Sequence, residues 1–116
     1  MIVATTYENG VVFQHFGHTE HFKIYDVEGG RIVACKVIAT NGVGHAELAN
    51  FLKLRGVDVL ICGGLGNCAR DALGKARIRI YGGVQGECDK VVQEFVDGRL
   101  EYDPSAHCAE DDNCED

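Results

Sequence analysis

The apolar positions fall into short runs separated by glycine and polar clusters, and the spacing within each run predicts its element. "MIVATTY" (residues 1–7) reads as an opening strand, and "HFKIYDVEGGRIVACKVIAT" (21–40) as two strands around a Glu28-Gly29-Gly30 hairpin turn. In "GHAELANFLKLRG" (44–56), Ala46, Ala49 and Leu52, with Leu48 and Phe51, recur at helical spacing, and Gly56 is placed to end the helix. "VDVLIC" (57–62) is almost continuously apolar, as a strand buried on both faces should be. "GGLGN" then breaks the chain before a second helix, "CARDALGKA" (68–76). "RIRIY" (77–81) alternates, with Ile78 and Ile80 on one face and Arg77, Arg79 and Tyr81 on the other, the pattern of an edge strand. "GECDKVVQEFVDG" (86–98) gives a third helix with Val91, Val92, Phe95 and Val96 inward.

The first three strands form an antiparallel meander, and the last two join through helical crossovers that should be right-handed and therefore parallel. The buried "VDVLIC" belongs beside the first strand and "RIRIY" at an edge. The expected fold is α/β and ribonuclease-H-like: a five-stranded mixed sheet in the order 3-2-1-4-5 with three helices on its faces. Residues 1–100 form a single domain. Residues 101–116, "EYDPSAHCAEDDNCED", read as an acidic, Cys- and His-containing tail holding the chain's one proline.

Composition narrows the function. A length of 116 residues suits one domain, and the formal charge of −7 with no basic stripe argues against a nucleic-acid partner. No apolar run is long enough to span a bilayer, and the N-terminus lacks the pattern of a signal peptide, so a cytoplasmic location is expected. In that compartment the six cysteines, at 35, 62, 68, 88, 108 and 114, read as metal-binding, reactive or buried sooner than as disulfides.

Tracing strand directions collects the chemistry at one end of the sheet. His15 and His18 follow the first strand, His21 begins the second, and His45 follows the third. Cys62 and Cys68 flank the glycine loop after the fourth. Ligands of open α/β sheets bind outside the carboxyl ends of strands. Imidazole and thiolate suit zinc, copper and iron–sulfur centres, although no C-x2-C pair specifies one. Other readings stand beside this one. Cys35, mid-strand in "VACKV", reads as core; Cys62 could simply pack; His45 could simply start a helix; His107, Cys108 and Cys114 could belong to a solvated terminus. Cys68, at a helix N-terminus, has the setting that favours a thiolate.

Gly64-Leu65-Gly66-Asn67-Cys68-Ala69 matches G-x-G-x-x-A between a strand and a helix. No acidic residue ends the following strand, so a dinucleotide is not expected. A glycine loop feeding a helix N-terminus still presents N–H groups to an anion. A magnesium-dependent nuclease needs converging carboxylates, which "MIVATTY" and "VDVLIC" do not supply.

The segments "HFGH…HF", "GVGHAELANFL", "GVDVLICGGLGNCARDAL" and "IRIYGGVQGECDKVVQEF" occur in order over residues 1–100. Together they resemble the dinitrogenase iron-molybdenum cofactor biosynthesis family of small metallocluster carriers. The resemblance implies a ribonuclease-H-like fold that binds and delivers an iron–sulfur or molybdenum-containing sulfide cluster or cofactor precursor and catalyses no reaction. It also implies exchange with a cluster-synthesis or acceptor protein. The family's glycine loop commonly carries a proline where this chain has Asn67, and the thiol of Cys68 is a departure from it. On this reading the metal ligands are drawn from His15, His18, His21, Cys62 and Cys68, with Gly63, Gly64, Gly66, Asn67 and His45 contacting the cofactor. Two other readings remain: a regulatory or scaffolding domain that binds a partner protein through the same rim, and a thiol-active enzyme using Cys68.

Overall fold

The computed structural model describes residues 1–43 and 47–103. Five strands, β1 (Ile2–Tyr7), β2 (His21–Glu28), β3 (Arg31–Ala39), β4 (Val59–Ile61) and β5 (Arg79–Tyr81), form one sheet in the order β3-β2-β1-β4-β5. β1 pairs antiparallel with β2, β2 with β3, and β4 runs parallel to both β1 and β5. The topology is the expected one. The helices are α1 (Leu48–Lys53), α2 (Asn67–Lys75) and α3 (Cys88–Val96).

Alternation along the strands splits the core in two. Ala4, Phe22, Ile24, Leu60 and Cys62 point to the face covered by Leu48 and Leu52 of α1 and Leu73 of α2. Val3, Tyr25, Val59 and Ile61 point to the opposite face, against Val91 and Val92 of α3. β1 and β4 are therefore buried on both faces, which is why β4 is continuously apolar, while β1 buries Thr5 and Thr6 as well as its apolar residues. The hairpin turn uses Gly29 and Gly30 at positive φ, the left-handed region where a side chain would be strained.

Two expectations are corrected. Cys35 is not core: it is exposed, as is nearly all of β3. β3 is an edge strand whose outer faces the helices leave uncovered, so its apolar residues, Val33 and Val37 among them, meet solvent. β5 is shorter than the alternating run suggested, because Arg77 adopts a left-handed conformation (φ 61°) and only Arg79–Tyr81 pair with β4. Packing also continues past Leu100. Tyr102 meets Tyr81 edge-on with ring centroids 4.6 Å apart, and the Asp103 amide donates to Gly82 O at 2.8 Å.

Candidate functional site

The segment between β1 and β2 is held by one large side chain. Phe16, fully buried and 6.1 Å from the Phe22 ring, anchors a short 3-10 turn over Phe16–His18. Burying an aromatic ring there fixes a loop that polarity alone would leave loose. The turn places the His15 and His18 rings nearly perpendicular, 6.3 Å apart between centroids, and Phe13 meets His15 edge-on at 6.0 Å. His21 begins β2 opposite Tyr7 and Ala39, exposed on the sheet end. His18 and His21 line a cleft of about 320 Å³ with Tyr7, Phe13, Glu8 and Glu20.

Backbone hydrogen bonds join this turn to the glycine loop after β4. Phe16 N donates to Gly64 O at 3.1 Å, Gly64 N donates to Gln14 O at 2.9 Å, and Gly83 N donates to Gly63 O at 2.9 Å. Three of the loops on the expected rim, after β1, β4 and β5, are thus physically continuous. His45 lies outside the described residues, as do His107, Cys108 and Cys114.

The glycines serve this stitching. A Cβ on Gly63 would fall 2.6 Å from the Gln14 Cα, so the space beside Gly63 belongs to Gln14 and not to a ligand. Gln14 in turn donates from Nε2 to Val12 O and Val84 O, at 3.0 and 3.1 Å. Its part in the site was not foreseen from the sequence, since its partners lie up to 70 residues away. Gly64 spends both its N–H and its C=O on the loop before β2. Gly66 precedes α2 in an extended conformation (φ −84°, ψ 174°) and, as a glycine, makes no side-chain cap hydrogen bond. That helix start carries the partial positive charge that suits an anion.

The cysteines separate sharply. Cys62 has no exposed surface and packs in the α1/α2 face of the core. Burial pushes its thiol up to about 12, against a smaller opposing pull from Arg70. A sulfur so placed fills space. Cys88 is buried too, its Sγ 3.5 Å from Thr6 O, and burial raises its pKa. Cys68, half-buried in the first turn of α2, is disulfide-bonded. Thiol chemistry at Cys68 therefore requires reduction first. Among the described residues, no three His, Cys, Asp or Glu side chains converge in a way that could hold a metal ion. What the backbone joins, at Phe16 and Gly64, is the loop carrying a histidine pair and the glycine loop that leads into α2.

The family described as dinitrogenase iron-molybdenum cofactor matches residues 1–98. The chain belongs to that family. Its fold is shared by the crystal structure of PH0822, with a TM-score of 0.84 and 29% identity, covering 90% of this chain and 96% of that one. The apo form of the orange protein from Desulfovibrio gigas superposes with a TM-score of 0.79 at 24% identity, covering 92% and 96% of the two chains. The uncharacterized protein MJ0580 of Methanocaldococcus jannaschii is 27% identical over 107 residues, 87% of this chain and 90% of its own length. Among the described residues, no helix of this family member is long and apolar enough to cross a membrane.

Proposed function

We propose that this protein binds an iron–sulfur or molybdenum–iron–sulfur type cluster, or a precursor of such a cofactor, as cargo and delivers it without catalysing a reaction. Membership of the iron-molybdenum cofactor family supports the class of cargo. The observation that supports carrying the reading to these residues is the hydrogen-bonded stitch between Phe16 and Gly64, which joins the loop of the His15–His18 pair to the loop that leads into α2.

The chemistry follows from the parts. Sulfide clusters are commonly anionic, and imidazole is a borderline-soft donor able to ligate metal or to donate a hydrogen bond to sulfide. The start of α2 adds the partial positive charge of a helix N-terminus. Cys68, once reduced, can supply a thiolate, whereas Cys62 is sealed in the core. His18, carried by the 3-10 turn and not by a strand, ranks first among the ligands. His15 follows, and His21, fixed by strand pairing, ranks last. His45 completes the assigned set. Loading from a cluster-synthesis protein and release to an acceptor are the exchanges this reading implies. A cytoplasmic setting suits them.

The test is titration of oxygen-protected, reduced protein with tetrathiomolybdate and, separately, with iron and sulfide. Saturable charge-transfer absorption that weakens in His18→Ala and His15→Ala is the expected result. Unsaturable or absent absorption with both probes would remove the cargo reading and leave docking of a partner protein as the use of this rim.

A further inference from the structure

We propose that the free edge of β3 takes up an extended, basic segment of the protein that gives or receives the cargo, with a Lys or Arg side chain of that segment seated in the acidic cleft beside Val37. The partner's role as donor or acceptor rests on the cargo reading; the docking chemistry does not.

The hydrogen bonds of the sheet show which backbone groups the edge offers. Thr40 N donates to Glu20 O at 2.9 Å, and Phe22 and His21 pair with Ile38 and Ala39 in the same register. Hydrogen-bonded and non-hydrogen-bonded pairs alternate along an antiparallel ladder, so Thr40, Ile38 and Lys36 turn their N–H and C=O groups toward β2. Cys35, Val37 and Ala39 therefore turn theirs away from the sheet. Among the described residues no strand lies beyond β3 to take them up. The irregularity in the β2–β3 pairing falls between Asp26 and Val27, outside this stretch. The faces of β3 are bare as well, since it is exposed at every position except Ile32 and Ile38. A regular row of unpaired backbone groups is the surface on which an added strand forms.

The same strand borders the cleft of about 320 Å³ that contains His18 and His21. Val37, 44% exposed, is in register with Lys23 and lies on the face of the sheet that meets α3. Tyr7 and Phe13 give this cleft aromatic walls, and Glu8 and Glu20 give it two carboxylates. Neither carboxylate has a side-chain hydrogen bond or ion pair among the described residues. The cation in register with Val37, Lys23, is already held by Asp89 at 2.7 Å. Aromatic faces and free carboxylates together suit a guanidinium or ammonium group on an apolar stem.

The two features fit one occupant. Residues directly opposite each other on neighbouring strands project from the same face. A residue of an added strand opposite Val37 thus sends its side chain toward the cleft, while its backbone bonds the N–H and C=O of Val37. A second copy of this chain carries the same formal charge of −7, so the field that draws in a basic segment opposes self-association.

The test uses the full chain, reduced, with the acetylated and amidated pentapeptide Val-Thr-Arg-Thr-Val as probe. The same peptide with citrulline in place of Arg is the uncharged control. Followed by NMR, the Arg peptide should produce saturable shifts in the amide signals of Cys35, Val37 and Ala39 and in the ring signals of Tyr7 and His21. Hydrogen exchange at those amides should slow severalfold at saturation. The citrulline peptide should bind at least about fivefold more weakly, the size of a charge contact at a partly open site. Glu8→Gln/Glu20→Gln should bring the two peptides level. No saturable shift, shifts confined to other surfaces, or equal affinity of the two peptides for the parent protein overturns the proposal. A dimer in sedimentation velocity that protects the same amides without peptide also overturns it. Tetrathiomolybdate titration of the same samples separates the two readings. If the probe is not taken up while the peptide results hold, the cargo reading fails and the docking edge stands; if the probe is taken up and the peptide does not bind, the docking edge alone fails.

Discussion

The Tyr25 hydroxyl donates to Asp89 Oδ1 at 2.6 Å, and Lys23 Nζ reaches the same oxygen at 2.7 Å. One carboxylate at the start of α3 therefore clamps two residues of β2 across 64 and 66 positions of sequence. The Lys23 bond, followed by the Tyr25 bond, holds the Asp89 pKa below its ordinary value. Burial, and after it the same carboxylate, pushes the Tyr25 phenol up.

Acid should loosen this clamp. An unfolded aspartate titrates near 3.9, and in the fold Asp89 titrates lower, so the unfolded chain takes up the proton first. The clamp's stabilisation is complete above about pH 4 and declines as pH falls through the folded value. The Asp89 side chain is 70% exposed, so solvent screening limits the loss in Asp89→Asn to about 0.5–1 kcal/mol. Chemical denaturation between pH 3 and 7 should show the variant with a flatter acid limb than the parent.

Gly63→Ala should be costly because the obstructing atom is backbone. The new methyl would meet the Gln14 Cα at 2.6 Å, and rotation of the Gln14 side chain cannot relieve that contact. Overpacking of this kind costs about 1–3 kcal/mol, or very roughly 4 °C of melting temperature per kcal/mol at this size. Thermal unfolding measures it; an unchanged midpoint would show that Gly63 was needed for something other than this contact.

Removing the ring under the 3-10 turn should disturb the histidines. Phe16→Ala opens a cavity where a fully buried ring packs on Phe22, with an expected loss of about 3–5 kcal/mol. Phe16→Leu keeps more of the volume and should leave the protein folded. In that variant the imidazole NMR signals of His15 and His18 should shift while that of His21, on β2, stays in place.

The cysteines should react in an order set by burial. Cys35, exposed on β3, should be alkylated first in the native protein. At pH 8 a thiol pushed up to about 12, as Cys62 is, carries about a thousandth of the thiolate of an ordinary thiol of pKa 8.5. Cys62 and Cys88 should become labelled on the timescale of unfolding, as read by mass spectrometry of timed iodoacetamide quenches.

The strand order was readable because each constraint on it is local. "DVEGGRIV" can only be a tight hairpin, and two helix-length connections force parallel crossovers onto the sheet. The rim was readable for the same reason, since strand direction fixes which loops share an end. Cys35 and Cys62 show where that logic stops. Both end or interrupt apolar runs, yet one is exposed and the other sealed, because exposure depends on which strand the helices cover.

The sequence by itself determined the elements, their order in the sheet, the family and which loops share one end of the sheet, since periodicity, turn residues and motif spacing are properties of neighbouring residues. The tertiary structure alone decided that Gln14 fills the space beside Gly63 and that Phe16 props the His15–His18 pair. It also decided that β3 is left bare. Each of these depends on atoms brought together from distant positions by packing, and close packing admits one side chain to a given space.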